Sequence, residues 1–151
     1  MTAMPSMAGA LVVDTSVLVK WIRSDDEELL VEAHALRSRV DDAGVTVYAP
    51  TLLAYELGNI LTRKSDLAPD RIAEALDEVF QSRLVVAPPE PELLARGARL
   101  ARQHDITFYD AAFVALAELL HCPLVTADRR LARRTRELDF VRHLSNARDV
   151  P

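Results

Sequence analysis

The chain has a single cysteine, Cys122, in 151 residues. It cannot form an internal disulfide, which fits a reducing compartment, and it excludes zinc sites built on four cysteines or on two cysteines and two histidines. Lysine is nearly as scarce, with only Lys20 and Lys64. No run of about eighteen apolar residues exists, so a spanning helix is excluded and no membrane partner is expected. Residues 1–9 hold no Lys or Arg, and the apolar stretch from Ala8 stops at Asp14, so no export signal is read there. Met1, Met4 and Met7 leave the start codon open, and a cytoplasmic location is expected. No Gly/Ser linker, repeat or low-complexity tract divides the chain. One domain over 1–151 is therefore expected, with 1–9 as a flexible N-terminal extension.

Half of the residues are hydrophobic and 27% are charged, enough apolar material for a true core. Eighteen basic and 23 acidic residues give a net charge of −5, which argues against a uniformly basic nucleic-acid binder. A local basic face stays open.

Short β-branched runs alternate with helical segments. Strands are expected at Ala10 to Val13, Val45 to Ala49, Leu84 to Ala87 and Pro123 to Thr126, with an edge strand at Phe140 to Leu144. Helical material is expected from Ser16 to Ala43, broken near Ser24, and Gly44 closes it. Asp25 to Glu28 read as a solvated helix start, with a site-rim role for Asp26 as the weaker reading. Further helices are expected at Thr51 to Lys64, Pro69 to Arg83, Glu90 to His104, Tyr109 to His121 and Asp128 to Leu138. The helix from Tyr109 is apolar nearly all round and should be buried. This alternation predicts α/β architecture around a mainly parallel sheet, whose ligands bind at the carboxyl ends of the strands.

Four acids occupy unusual places in that plan. Asp14 closes the first strand and Asp128 closes the fourth. Each could equally be the N-cap of the helix that follows, and for Asp128 alone capping is the simpler reading. Glu56 shares a helix face with Leu53, Leu57, Ile60 and Leu61, where a carboxylate is costly unless paired or bound to a metal. An arginine or a helix end could also satisfy it. Asp110 heads the buried helix, three and four residues before Phe113 and Val114, and capping is again the alternative. Taken together, the four are expected near one sheet edge. There they would repel one another and hold protons unless a cation were present. Oxygen-rich sites suit Mg²⁺ or Mn²⁺, ions that serve phosphoryl chemistry. A metal-dependent phosphodiesterase follows.

Four segments carry a resemblance. They are Leu11-Val12-Val13-Asp14-Thr15-Ser16-Val17-Leu18-Val19-Lys20-Trp21, Tyr55-Glu56-Leu57-Gly58-Asn59-Ile60-Leu61, Tyr109-Asp110-Ala111-Ala112-Phe113-Val114-Ala115-Leu116-Ala117 and Leu124-Val125-Thr126-Ala127-Asp128-Arg129-Arg130-Leu131. In this order the chain resembles the PIN-domain ribonucleases and, within them, the VapC-type toxins of toxin–antitoxin pairs, from Leu11 to about Leu131. The resemblance implies a three-layer α/β/α domain and Mg²⁺- or Mn²⁺-dependent hydrolysis of single-stranded RNA. It assigns Asp14, Glu56, Asp110 and Asp128 to the metal site, with Ser16 and Thr126 in support and Asn59 as a further candidate. It also implies a cognate antitoxin and a homodimer. In the mechanism expected from this set, Asp14, Asp110 and Glu56 bind the metal, and Asp128 completes the shell or holds a second ion.

Other features have plainer readings. His34, His104, His121 and His143 lack ligand spacing, Cys122 reads as a small buried residue, and Trp21 as core or interface. Asp128 to Arg148 holds seven arginines against three acids. Arg129, Arg130, Arg133 and Arg134 could guide a phosphate backbone, or could be solvated or salt-bridged. A receiver-type phosphoacceptor would want paired acids after the first strand and a late-strand lysine, and both are missing. A housekeeping RNA-processing nuclease and a non-catalytic interaction module remain as alternatives. The latter has no need of Glu56 on an apolar face.

Overall fold

The structure, a computed structural model, describes residues 9–23 and 28–150. The proposed extension before Gly9, the break at Ser24 and the acids Asp25, Asp26 and Glu27 lie outside the described residues.

Five parallel strands form one sheet. They are β1 (Ala10–Val13), β2 (Thr46–Pro50), β3 (Leu84–Ala87), β4 (Leu124–Thr126) and β5 (Val141–His143), in the order β3-β2-β1-β4-β5. Every residue of β1 is buried. That explains its unbroken apolar run, because a central parallel strand is covered on both faces. The helices are α1 (Thr15–Ile22), α2 (Leu30–Ala43), α3 (Leu52–Lys64), α4 (Pro69–Gln81), α5 (Pro91–His104), α6 (Phe108–Leu120) and α7 (Arg129–Arg134). α5 packs on α6, and α6 lies against β1, β2 and β4. α1 contacts α2, α3 and β4, while α4 joins α3 to β3. The result is the expected α/β layering around a parallel sheet.

Local chemistry sets the boundaries. Gly44 ends α2 in the left-handed region at φ 64°, as its lack of a Cβ permits. Pro69 and Pro91 open α4 and α5, where a missing N–H is harmless. Residues 111–117 of α6 are all buried, as its apolar composition predicts. Phe113 is fully enclosed there, and its truncation to Ala would cost about 3–5 kcal/mol. A smaller core of Val19, Leu57, Leu61 and Ile72 clamps α3 between α1 and α4. It fixes the helix that carries Glu56.

One expectation is corrected. The arginine-rich helix does not reach Leu138 but ends at Arg134. Thr135 is fully buried and turns its hydroxyl back onto the Leu131 carbonyl, 2.7 Å away. The following turns bury Leu138 and Phe140 partly against the core and lead into β5.

The topology has one further consequence. From β1 the chain builds outward through β2 and β3, then returns to place β4 on the other side of β1. The strand order therefore reverses between β1 and β4, where open α/β sheets form their ligand crevice.

Candidate active site

Register brings the first and last acids together. Val13 lies opposite Val125, and the Asp14 N–H donates to the Val125 carbonyl at 3.0 Å. The residues that leave β1 and β4 therefore emerge side by side. The Thr126 hydroxyl donates to Asp14 Oδ2 at 2.7 Å and accepts from the Asp128 N–H at 3.0 Å. The Ser16 hydroxyl donates to the same Oδ2 at 2.8 Å and accepts from the Ala127 N–H at 2.9 Å. Two hydroxyls thus tie the strand ends together, with Asp14 between them.

Asp14 is 6% exposed. It occupies the N-cap position of α1, and its carbonyl accepts from the Val17 and Leu18 N–H groups, yet its carboxylate caps nothing. Burial raises its pKa from 3.8 to about 6, partly offset by Thr126 and Ser16 and reinforced by the charges of Asp110 and Asp128.

Glu56 is half-buried on α3. The Thr15 hydroxyl donates to its Oε1 at 3.0 Å. Burial raises its pKa from 4.5 to about 7, and Asp14 and Asp110 raise it further. Asp110 sits in the first turn of α6, where Thr107 is the cap and accepts from the Asp110 N–H at 3.0 Å. The Asp110 carboxylate is therefore free of capping duty. Burial raises its pKa and Asp128 adds to the rise, while Thr107 and Arg130 lower it.

Asp128 differs. Its Oδ1 accepts from the Arg130 N–H at 2.8 Å and the Leu131 N–H at 3.1 Å, so it caps α7. Its charge nonetheless acts on Asp14 and Asp110. The four acids expected from the sequence thus share one electrostatic neighbourhood. Among the described residues, however, no three acid, imidazole or thiol side chains stand close enough to form a finished metal cage. Like charges at a shared edge repel, so a cation would have to draw them inward.

The outlying candidates divide. Asn59 is exposed and none of its hydrogen bonds among the described residues reaches the site; its carbonyl accepts from the Thr62 hydroxyl. In the basic segment, Arg129 reaches Glu28, Arg134 reaches Asp105 and Arg142 reaches Asp149. Much of this segment is therefore ordinary surface pairing, worth little in stability. The Trp21 indole N–H is satisfied by the Ala33 carbonyl at 2.8 Å, as suits a packing residue. Cys122 is buried and its thiol is pushed up to about 11, so it is no nucleophile. Two contributors escaped the sequence reading. Thr15 signals itself only by lying beside Asp14. Thr107 is visible as a Thr three residues before an acid, the spacing of a capping box.

Known proteins are similar to this chain. The PIN domain family matches residues 11–137. Ribonuclease VapC1 of Mycobacterium tuberculosis is 32% identical over 124 residues, 80% of this chain and 87% of that protein. The crystal structure of PAE2754 from Pyrobaculum aerophilum is similar with a TM-score of 0.64 and 25% identity, over 93% of each chain. DNA-bound VapBC from Salmonella typhimurium shares the fold, with a TM-score of 0.65 at 18% identity over 89% of this chain and 98% of that one. With its strand order, its hydroxyl-held Asp14 and a match spanning most of its length, the chain belongs to the PIN-domain family and to the VapC type within it.

Proposed function

We propose that the protein is a metal-dependent endoribonuclease that hydrolyses single-stranded RNA and acts as the toxin of a toxin–antitoxin pair. One observation carries the reading. A buried carboxylate, Asp14, is released from capping and held by two hydroxyls beside three further acids at the sheet's switch point. A carboxylate whose burial raises its pKa carries a desolvation cost and is poised to be ionised by a cation.

The donor set is oxygen only, which fits Mg²⁺ or Mn²⁺ rather than zinc. Asp14, Asp110 and Glu56 would hold the ion, and Asp128 would offer the oxygen not used in capping. When bound, such an ion supplies an activated water and stabilises charge on the departing oxygen. The chain's own residues prepare that chemistry. Ser16 and Thr126 fix the rotamer of Asp14 through Oδ2, and Thr15 orients Glu56 through Oε1. Thr107 caps α6 in place of Asp110 and so leaves that carboxylate to face the site. Each carboxylate gives up its proton as the cation binds, so affinity should climb as pH rises through about 6 and 7, the values of Asp14 and Glu56.

The name of the M. tuberculosis relative supports RNA as the substrate. The VapBC structures support a VapB-type antitoxin as partner. A cytoplasmic homodimer, each chain a single PIN domain, completes the reading. Among the described residues no helix is long and apolar enough to cross a membrane.

The test is cleavage of a labelled single-stranded RNA pool with Mn²⁺, Mg²⁺ or EDTA, beside Asp14→Asn. Cleavage that is lost in EDTA and falls about 10³-fold or more in the variant is expected. Full activity in either case would overturn the reading. Growth arrest on expression of the wild type, relieved by the antitoxin, would separate a toxin from a housekeeping nuclease.

A further inference from the structure

The turn that carries Asp128 is also held from a third strand. β5 lies beside β4, and its last residue, His143, is the register partner of Thr126. Two hydroxyls already fix part of this turn. The Asp128 N–H donates to Thr126 at 3.0 Å, and the Ala127 N–H donates to Ser16 at 2.9 Å. The Ala127 carbonyl points elsewhere, and His143 Nε2 lies 3.3 Å from it.

A carbonyl oxygen can only accept, so Nε2 carries the proton in this contact. Nδ1 is then an acceptor. It takes the Ser145 N–H at 3.3 Å and the Ser145 hydroxyl at 2.7 Å. One neutral tautomer meets every one of these contacts, and the half-buried ring is held at both nitrogens. The peptide between Ala127 and Asp128 is thereby pinned at both ends, its N–H by Thr126 and its C=O by His143. Because a peptide is planar, pinning both ends fixes the direction in which the chain enters Asp128.

We propose that His143 is a positioning residue of this site, which donates to the Ala127 carbonyl and so fixes the turn that aims Asp128. This rests on the ribonuclease reading above, and it requires no contact of His143 with substrate or ion. Groups that orient metal-site ligands in this way typically carry about 10–100-fold in metal affinity or activity. The plainer role for His143 is to cap the 3₁₀ turn Leu144–Asn146, which needs only Nδ1. The two roles use different nitrogens, so substitution separates them.

His143→Asn keeps an acceptor for the Ser145 N–H but is too short to reach Ala127. His143→Gln places an amide N–H where Nε2 stands. Wild type and both variants are compared by hydrogen exchange of the Asp128 amide in metal-free protein, by Mn²⁺ affinity, and by steady-state cleavage of single-stranded RNA. His143→Asn should speed exchange of the Asp128 amide about fivefold, the loss of one hydrogen bond from the turn. It should weaken Mn²⁺ binding about tenfold and lower kcat about tenfold with KM little changed, while the thermal midpoint stays near that of the wild type. His143→Gln should recover most of each loss. A His143→Asn protein that equals the wild type in exchange and in Mn²⁺ affinity would overturn the assignment, whatever its cleavage. Equal losses in His143→Asn and His143→Gln would overturn it too, because the donor at Nε2 would then not matter. A wild type that shows the expected exchange and Mn²⁺ differences from its variants but cuts no RNA would overturn the ribonuclease reading and leave His143 as the pin of the turn.

Discussion

Two junctions in this molecule are built from the same local pattern, a parallel strand, an aspartate and a helix. Asp128 follows β4 and Asp14 follows β1, and both have extended backbones at an N-cap position. Asp128 caps its helix through Oδ1. Asp14 does not; its Oδ2 is taken by Ser16 and by Thr126, the latter 112 residues away in sequence. A capping carboxylate contributes about 1 kcal/mol to its helix. A carboxylate held buried away from that role instead carries a desolvation cost. The comparison teaches that position in the sequence does not decide what such an aspartate does. The hydroxyls that reach it do.

The largest break in this comparison should come from Thr126→Val. The side chain is fully buried, and valine matches its shape without the hydroxyl. Asp14 Oδ2 loses one donor and the Asp128 N–H loses its acceptor. A loss of about 1–3 kcal/mol is expected in denaturant unfolding. Thr126 lowers the pKa of Asp14, so the acidic limb of the cleavage profile should also move to higher pH. The second break separates cap from site at Asp128. Asp128→Ala should lose about 1 kcal/mol of stability, whereas Asp128→Asn keeps a good cap and should unfold like the wild type. Both variants should cut RNA poorly, because the charge is gone in each. A fully active Asp128→Asn would confine Asp128 to capping. The smallest effect should come from Thr107→Ala. It removes the α6 cap, the acceptor of the Asp110 N–H, for about 1 kcal/mol or less. Thr107 also lowers the pKa of Asp110, so the acidic limb of the cleavage profile should move slightly to higher pH.

Much of this was legible in the sequence, for identifiable reasons. The run Ala10 to Val13 could only be a buried strand, and Gly44 could only be a helix end. Glu56 stood out because a carboxylate is costly among Leu53, Leu57 and Leu61. The PIN-type order of segments implied one site for all four acids, and the β1–β4 register sets two of them, Asp14 and Asp128, after neighbouring strand ends. What stayed hidden was tertiary. No local rule tells Asp14 from Asp128, since part of the answer lies in the Thr126 hydroxyl brought in from the neighbouring strand. The early end of α7 depends on burial of Thr135, which arginine periodicity cannot register. Asn59 lies one turn after Glu56 by spacing, yet it is exposed while Leu57 and Leu61 beside it stay buried. Which arginines of the basic segment are paired depends on where Glu28, Asp105 and Asp149 sit.

Linkage turns the central claim, that Asp14 is held for chemistry at the expense of stability, into a measurable quantity. A carboxyl whose folded pKa lies above its unfolded value binds more protons in the fold, so stability falls as pH rises between the two. For Asp14 that window runs from 3.8 to about 6. The full effect is about 3 kcal/mol above it. Glu56 extends the same trend up to about 7. The most direct measurement is the thermal midpoint of wild type and Asp14→Asn in metal-free buffer from pH 4 to pH 8. The variant should match the wild type near pH 4, gain on it up to about pH 6, and remain several degrees more stable at pH 8. An Asp14→Asn protein that is less stable than the wild type across the whole range would contradict the account, because Asp14 would then be supporting the fold.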